Sequence, residues 1–340
     1  MGRASLGKME LINELSEVAG YKTGLVITYR KMKSFITSKD LLRIYESNRS
    51  TAIGIRPEEY EEIYYDILRG AGYIPRGAFN PSPYYGVIIM RKYGNQPEKF
   101  MLAQNVYELF IEWLHDELSI CREYGSKMSP ENFMKKSYDK YGRVGYSIAL
   151  EIVENFSNYQ ESSPWSQVRR VEWKDSIELE ELFKSESLET YYGKFIDQRY
   201  IDYLSNNLDD IGKIQWRKFE ALTCEYFDKL GYYVEIGKGR DDGGVDARVW
   251  KDEEDKENPP MILIQCKREK SQVERVVIKA LWADTQYEKA KSGLIVTSSK
   301  ISRGAREDCI ARGYNIRFAE RDTLNKWLQQ MRTPYHEIVI

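Results

Sequence analysis

The chain has 340 residues, 42% hydrophobic and 31% charged, which is enough for two or three compact units with their own cores. A formal net charge of −2 and a pI near 6.0 give no overall basic excess, so any contact with nucleic acid has to come from local patches. Two histidines (His115, His336) and four scattered cysteines (Cys121, Cys224, Cys266, Cys309) without a CxxC pair argue against imidazole metal sites, disulfide frameworks and histidine-activated hydrolases.

The longest apolar runs, such as Met261 to Ile264, are far too short for a bilayer, and the charged N-terminal stretch lacks the apolar core of a secretory signal. A cytoplasmic protein with no membrane partner is expected. Chemistry, where there is any, falls to carboxylates and lysine.

In chain order, Ser38-Lys39-Asp40 opens one apolar-periodic stretch and Arg56-Pro57-Glu58-Glu59 a second, which ends near Gly70 and Gly72. Tyr85 to Gly94 then reads as a wing-like strand, so residues 38–94 suggest either a small winged helix for recognition or a plain α+β packing module. The aromatic stretch Tyr84 to Tyr93 is a weak candidate for stacking on an extruded base. Gln104 to Cys121 has Val106, Leu109, Phe110, Trp113 and Leu114 at helical spacing and reads as a core helix. Asn155 to Arg170 is polar, contains Pro164 and lacks periodicity, which marks a connection. The expected division is a mainly helical α+β N-terminal region over 1–155, a linker and helical connector over 156–205, a domain over 206–332, and a tail over 333–340.

For the domain, periodicity predicts a helix over Gln215 to Leu230, then strands over Tyr232 to Ile236, Val245 to Trp250 and Met261 to Arg268. There follow a helix from Gln272 to Lys291, a strand from Gly293 to Thr297, a helix from Ser302 to Arg312, a strand from Tyr314 to Phe318 and a helix from Asp322 to Met331. The order αβββαβαβα implies an α/β domain, a mixed sheet covered by helices on both faces.

On the first helix Trp216, Phe219, Thr223, Tyr226, Phe227 and Leu230 share a face, with Glu220 at its edge and Glu225 on the solvated side. An inward carboxylate needs either a cationic partner or a metal. Strand alternation sends Asp246, after the turn Arg240-Asp241-Asp242-Gly243-Gly244, to the face opposite Val245, Ala247 and Val249. The apolar run Met261 to Ile264 ends in Gln265-Cys266-Lys267, and period two puts Gln265 and Lys267 on one face. Desolvating that ammonium is costly without an anion or phosphate nearby. Phosphodiester hydrolysis needs a hard cation on oxygen ligands plus a positive group near the phosphate, and Asp246, Gln265, Glu220 and Lys267 supply those types.

The motifs Trp216-Arg217-Lys218-Phe219-Glu220, Gly231-Tyr232, Asp242-Gly243-Gly244-Val245-Asp246, Ile264-Gln265-Cys266-Lys267 and Ile295-Val296-Thr297-Ser298 follow one another on the expected elements. In this the segment from about Ile211 to Trp327 resembles the Mrr-like restriction endonucleases of the PD-(D/E)xK nuclease superfamily. The resemblance implies a Mg²⁺-dependent DNA endonuclease, with Mn²⁺ able to substitute, acting on double-stranded DNA in restriction or antiviral defence. It makes Asp246 the principal metal ligand and Gln265 and the Cys266 carbonyl auxiliary ligands, and gives Lys267 the water or the phosphorane. Gln265 stands where the superfamily often has glutamate, which removes one negative charge and leaves Glu220 or Asp242 for further ligation. Asp242 could equally be a turn residue bonding its own backbone.

Ser298, Lys300, Arg303 and Arg306 suit phosphate contacts at a strand end and helix start, or else form an ordinary cap with a solvated basic face. Double-strand cleavage requires two active sites, from a homodimer or from pairing on DNA. A structure-specific repair nuclease and a non-catalytic DNA-binding module are the competing functions.

Overall fold

The structure is a computed structural model that describes residues 4–46, 52–82, 84–124, 128–239 and 244–333. Asp242, His336 and Pro334 to Ile340 lie outside the described residues. The chain divides into two compact units, one built from residues 1–76 and 173–333, the other centred on residues 77–172. This differs from the expected boundaries at 155 and 206. The N-terminal segment packs with the C-terminal domain, through contacts that are remote in sequence.

The second unit is helical, with helices Tyr85–Tyr93, Pro97–Tyr124 and Glu131–Ser162, the last kinked at Gly142 where φ is 62° and ψ −155°. The strand expected over Tyr85 to Gly94 is therefore a helix, and no winged-helix wing is formed by it. Tyr85, Ile89 and Tyr93 recur every four residues, so a helix buries all three against Val106, Phe110 and Ile152, whereas a strand would put all three on one face but leave Ile88 and Met90 on the other. Both buried rings direct their hydroxyls at Glu151, at 3.3 Å from Tyr85 and 2.9 Å from Tyr93, so they pack rather than offer a stacking surface. The first half of the expected linker is the end of the Glu131–Ser162 helix, and the irregular path begins near Pro164.

The first unit contains a five-stranded mixed sheet. In chain order its elements are α1 (Trp216–Lys229), β1 (Tyr233–Ile236), β2 (Ala247–Trp250), β3 (Ile262–Lys267), α2 (Arg275–Tyr287), β4 (Ser292–Thr297), α3 (Arg303–Ala311), β5 (Ile316–Ala319) and α4 (Arg321–Met331). This is the predicted αβββαβαβα order. Spatial order follows chain order, with β1–β2 and β2–β3 antiparallel and β3–β4 and β4–β5 parallel. Right-handed crossovers through helices are the ordinary way to connect parallel strands. Leu263, Ile295 and Ile316 from the strands and Ile278, Leu281 and Ala305 from α2 and α3 form the core on one face. No helix among the described residues is long and apolar enough to cross a membrane.

The N-terminal helices Lys8–Thr23, Tyr29–Phe35, Lys39–Glu46 and Pro57–Gly70 belong to this same unit. Arg199, 1% exposed, joins three remote segments: it pairs with Asp197 at 2.7 Å, with Asp175 at 3.1 Å, and donates to the Gly24 carbonyl at 3.2 Å. Gly24 has φ +67°, and a Cβ there would lie 2.8 Å from the Trp173 ring and 2.9 Å from Arg199. A larger residue is excluded on both counts.

Asp210 makes a second tie. Its carboxylate accepts from Lys31 at 2.9 Å, from Lys213 at 2.7 Å and from the Tyr203 hydroxyl. Burial opposes its ionisation, but the bonds from Lys213, Tyr203 and Lys31 outweigh it and hold the pKa at about 2, below the ordinary 3.8. A depressed carboxylate pKa contributes stability that is complete above its unfolded value and lost as pH falls toward the folded value. The stability difference between wild type and Asp210→Asn should therefore be largest above pH 4 and shrink steadily toward pH 2 in urea titrations; a difference that stays constant with pH would contradict this.

Candidate active site

The site forms where β2 begins and β3 ends. Continuing the β2–β3 register from the Ala247–Ile264 pair sets Asp246 across from Gln265, on the face that alternation also gives to Lys267. Asp246 is braced on both sides of the main chain: its N–H donates to the Ile264 carbonyl at 2.8 Å, and its carbonyl accepts from Gly237 at 2.7 Å. Its side-chain Oδ2 then accepts the Cys266 N–H at 2.6 Å. The sequence places this carboxylate one residue before the paired stretch of β2, so it closes the β3 main chain just beyond the last ladder bond.

Gln265 is 6% exposed, and its Oε1 is fully buried without a hydrogen-bond partner among the described residues. A buried amide oxygen left without a donor is costly, and such an atom calls for a proton donor or a cation. Gly244, with φ +90°, passes so close that a Cβ would lie 3.1 Å from Gln265 Nε2, so the amide is wedged against the backbone of the turn before Asp246. Lys267 is half-buried and forms no ion pair among the described residues.

Glu220 is also buried, and Arg217 supplies the cationic partner at 2.8 Å. Arg217 reaches further, to the Gly237 carbonyl at 2.6 Å, and so connects α1 to the end of β1. Of the two alternatives for Glu220, an ion pair is therefore present. The sequence reading gives Arg217 no role; its place three residues before Glu220, on the same helix face, is the signal by which it could have been found.

Cys266 faces α1, with its Sγ 3.6 Å from the Thr223 hydroxyl. Burial, with Asp246 and Glu220 adding negative charge, raises its thiol well above the ordinary pKa, so the sulfur stays protonated and is a poor metal ligand. Cys224 behind it is raised for the same reasons. Among the described residues no group of three or more His, Cys, Asp or Glu is arranged to hold a metal ion. Asp242, the remaining expected ligand, is outside the described residues.

Glu225, expected to be solvated, is 2% exposed. Its carboxylate accepts the main-chain N–H groups of Lys194, Phe195 and Ile196 at 2.9, 2.8 and 3.4 Å, thereby fastening the preceding loop to α1. Helical periodicity could not show this, because the partner is an irregular segment 30 residues away.

The four residues expected to meet phosphate fall into two groups. Ser298 and Lys300 line a cleft of about 690 Å³ beyond the carboxyl ends of β3 and β4, the usual place for a ligand in a parallel sheet. The Ser298 hydroxyl donates to the Glu269 carbonyl at 3.2 Å, and Lys300 is exposed. Arg303 and Arg306 do not line it: they pair with Glu307 at 2.7 Å and with Glu320. The cleft's cations, Lys213, Lys270, Lys300 and Arg321, are matched by four carboxylates, so it is no uniform basic patch.

Asp246 has a structural duty as well as a charge. Asp246→Ala, which leaves the Cys266 N–H without its acceptor, should lower the unfolding free energy by about 1–3 kcal/mol. Asp246→Asn, which keeps an acceptor oxygen, should lose less. Equal stabilities by chemical denaturation would show that the 2.6 Å bond holds nothing.

Residues 211–328 match the Mrr_cat family, described as a restriction endonuclease. Among solved structures the chain is similar to the MspJI restriction endonuclease in complex with a 27-mer oligonucleotide, at 16% identity and a TM-score of 0.29. That alignment covers 59% of this chain and 41% of MspJI. No curated protein matches the chain.

Proposed function

We propose that residues 211–328, the segment that matches the restriction endonuclease family, hydrolyse phosphodiester bonds in double-stranded DNA, with Asp246, Gln265 and Lys267 at the reacting centre. The observation that carries this reading is the buried, unpartnered Oε1 of Gln265 across the register from the Asp246 carboxylate. Two oxygen donors, one charged and one neutral, suit a hard divalent cation such as Mg²⁺, with Mn²⁺ as a substitute. When bound, such an ion would activate water and offset charge on the phosphate.

The chain's own groups supply the rest. Asp246 and Gln265 would hold the cation, with the Cys266 carbonyl and Asp242 as further oxygen donors. Lys267, which forms no ion pair among the described residues, would place its ammonium on a phosphate oxygen or on the attacking water. Glu220, already paired, orients the wall through Arg217 and takes part in ligation only after that pair opens. Ser298 and Lys300 would meet the DNA backbone from the neighbouring cleft, whereas Arg303 and Arg306 would first have to leave Glu307 and Glu320. A homodimer would supply the second centre needed to cut both strands. Restriction of foreign DNA is the role that fits the family match.

Cleavage of methylated and unmethylated supercoiled plasmid is the test, in Mg²⁺, Mn²⁺ or EDTA. Asp246→Asn and Lys267→Met should each lose roughly 10²–10³-fold or more in rate, with EDTA abolishing cutting, while gel-shift binding is retained. Variants that cut as wild type does, or cutting that survives EDTA, would overturn the assignment.

Phosphate contact by Lys300 makes a separate demand. Lys300→Ala should weaken binding to all sequences alike and reduce the slope of log K against log salt by about 1. An unchanged slope would remove Lys300 from the interface.

A further inference from the structure

A second cleft, of about 640 Å³, lies away from the candidate active site, between the segment 175–200 and the first turn of α1. Its charge is one-sided. Asp175 and Asp197 are matched by Arg199, but Glu178, Glu181 and Glu189 line the cleft without an ion pair among the described residues.

The second observation is Lys218. It is 4% exposed, lines the cleft, and makes no hydrogen bond or ion pair among the described residues. Its ammonium sits 5.4 Å from the centroid of the Tyr200 ring. Burial lowers its pKa, against the opposing pull of Asp197 and Glu181. Its stem is buried and its tip opens on the cleft with no acceptor among the described residues, so a group bound there can supply one.

The two features together restrict the occupant. Three unmatched carboxylates against one ammonium select for positive charge and repel a polyanion such as DNA. A bare metal ion or a simple polyamine satisfies the glutamates but brings no acceptor for Lys218. An extended basic peptide brings both, because cationic side chains and main-chain carbonyls alternate along it. Tyr191, 76% exposed at the cleft, adds an aromatic face for a guanidinium or ammonium.

We infer that this cleft docks a basic peptide segment, with Lys or Arg side chains on Glu178, Glu181 and Glu189 and a main-chain carbonyl on Lys218 Nζ. The inference does not depend on the nuclease reading, since it concerns other residues and another ligand.

The experiment is fluorescence anisotropy of a fluorescein-labelled peptide of alternating arginine and alanine with the full chain, without DNA. A glutamate–alanine peptide and spermidine serve as controls. Binding of the arginine peptide, weakened at least tenfold in Glu181→Gln/Glu189→Gln and several-fold in Lys218→Met, is expected. Lys218→Met discriminates by sign: were Lys218 only an internal counter-charge, removing it would tighten a cationic ligand, and tightening would overturn the inference. So would failure of the arginine peptide to bind, or displacement of it by spermidine at equal concentration. Because Lys218 is buried and its variant can misfold, the exposed glutamate variants, checked by thermal midpoint, decide the matter alone if necessary: unchanged affinity in them also overturns it.

Discussion

The arrangement of the candidate site depends on one main-chain donor, the Cys266 N–H, being met by a side chain rather than by a neighbouring strand. The pairing of β2 with β3 ends at Ala247 and Ile264, but β3 continues beside β4 to Lys267. Past that point no strand among the described residues pairs with the β2 side of β3, and the Asp246 carboxylate accepts the Cys266 N–H there at 2.6 Å. A carboxylate held in this way is fixed in position. The same extension of β3 carries Gln265 and Lys267 beyond its pairing with β2 and onto the face where Asp246 lies. The uneven strand lengths thus create the site: had β2 been longer, its own carbonyl would satisfy Cys266 and Asp246 would be an ordinary strand residue.

Around this centre the unit is assembled from segments remote in sequence, and buried charge does the joining. Arg199 connects Gly24, Asp175 and Asp197; Asp210 connects Lys31, Tyr203 and Lys213; Glu225 gathers the main chain of 194–196. Removing one partner of a buried pair typically costs about 3–5 kcal/mol, because the other charge is left unsatisfied. Such ties tolerate few alternatives in geometry. They hold the N-terminal helices to the same unit as the sheet, even though a 96-residue stretch, 77–172, forms a separate unit in between.

The contrast explains what could be read from the sequence. The C-terminal domain was legible element by element, because its strands are short apolar runs ended by glycine or charge, and its helices bury one stripe each. Gln265 and Lys267 drew attention for a related reason: a polar residue that ends an apolar run, here Met261 to Ile264, has to be exposed, paired or used. Where one apolar run fits two periods, the reading failed. In Tyr85 to Tyr93 the residues Val87 to Met90 are apolar in succession, and the helix is decided by Tyr85, Ile89 and Tyr93 meeting Phe110 and its neighbours, which lie on other helices. Glu225 and the division of the chain at 77 and 172 failed for a related reason: each depends on a partner that sequence spacing does not reveal.

Gln265 changes the electrostatics of the centre in a way that follows from its surroundings. A glutamate at that position would be a buried anion across from the half-buried Asp246 carboxylate, with Lys267 on the same strand face. Like charges so placed raise each other's pKa unless a cation offsets them. The amide avoids that repulsion and leaves a buried acceptor that still requires a partner. It also leaves Lys267 with one carboxylate fewer on its strand face, which is what the proposed function asks of an ammonium meant for phosphate. Glu220, matched by Arg217, adds no surplus negative charge beside it.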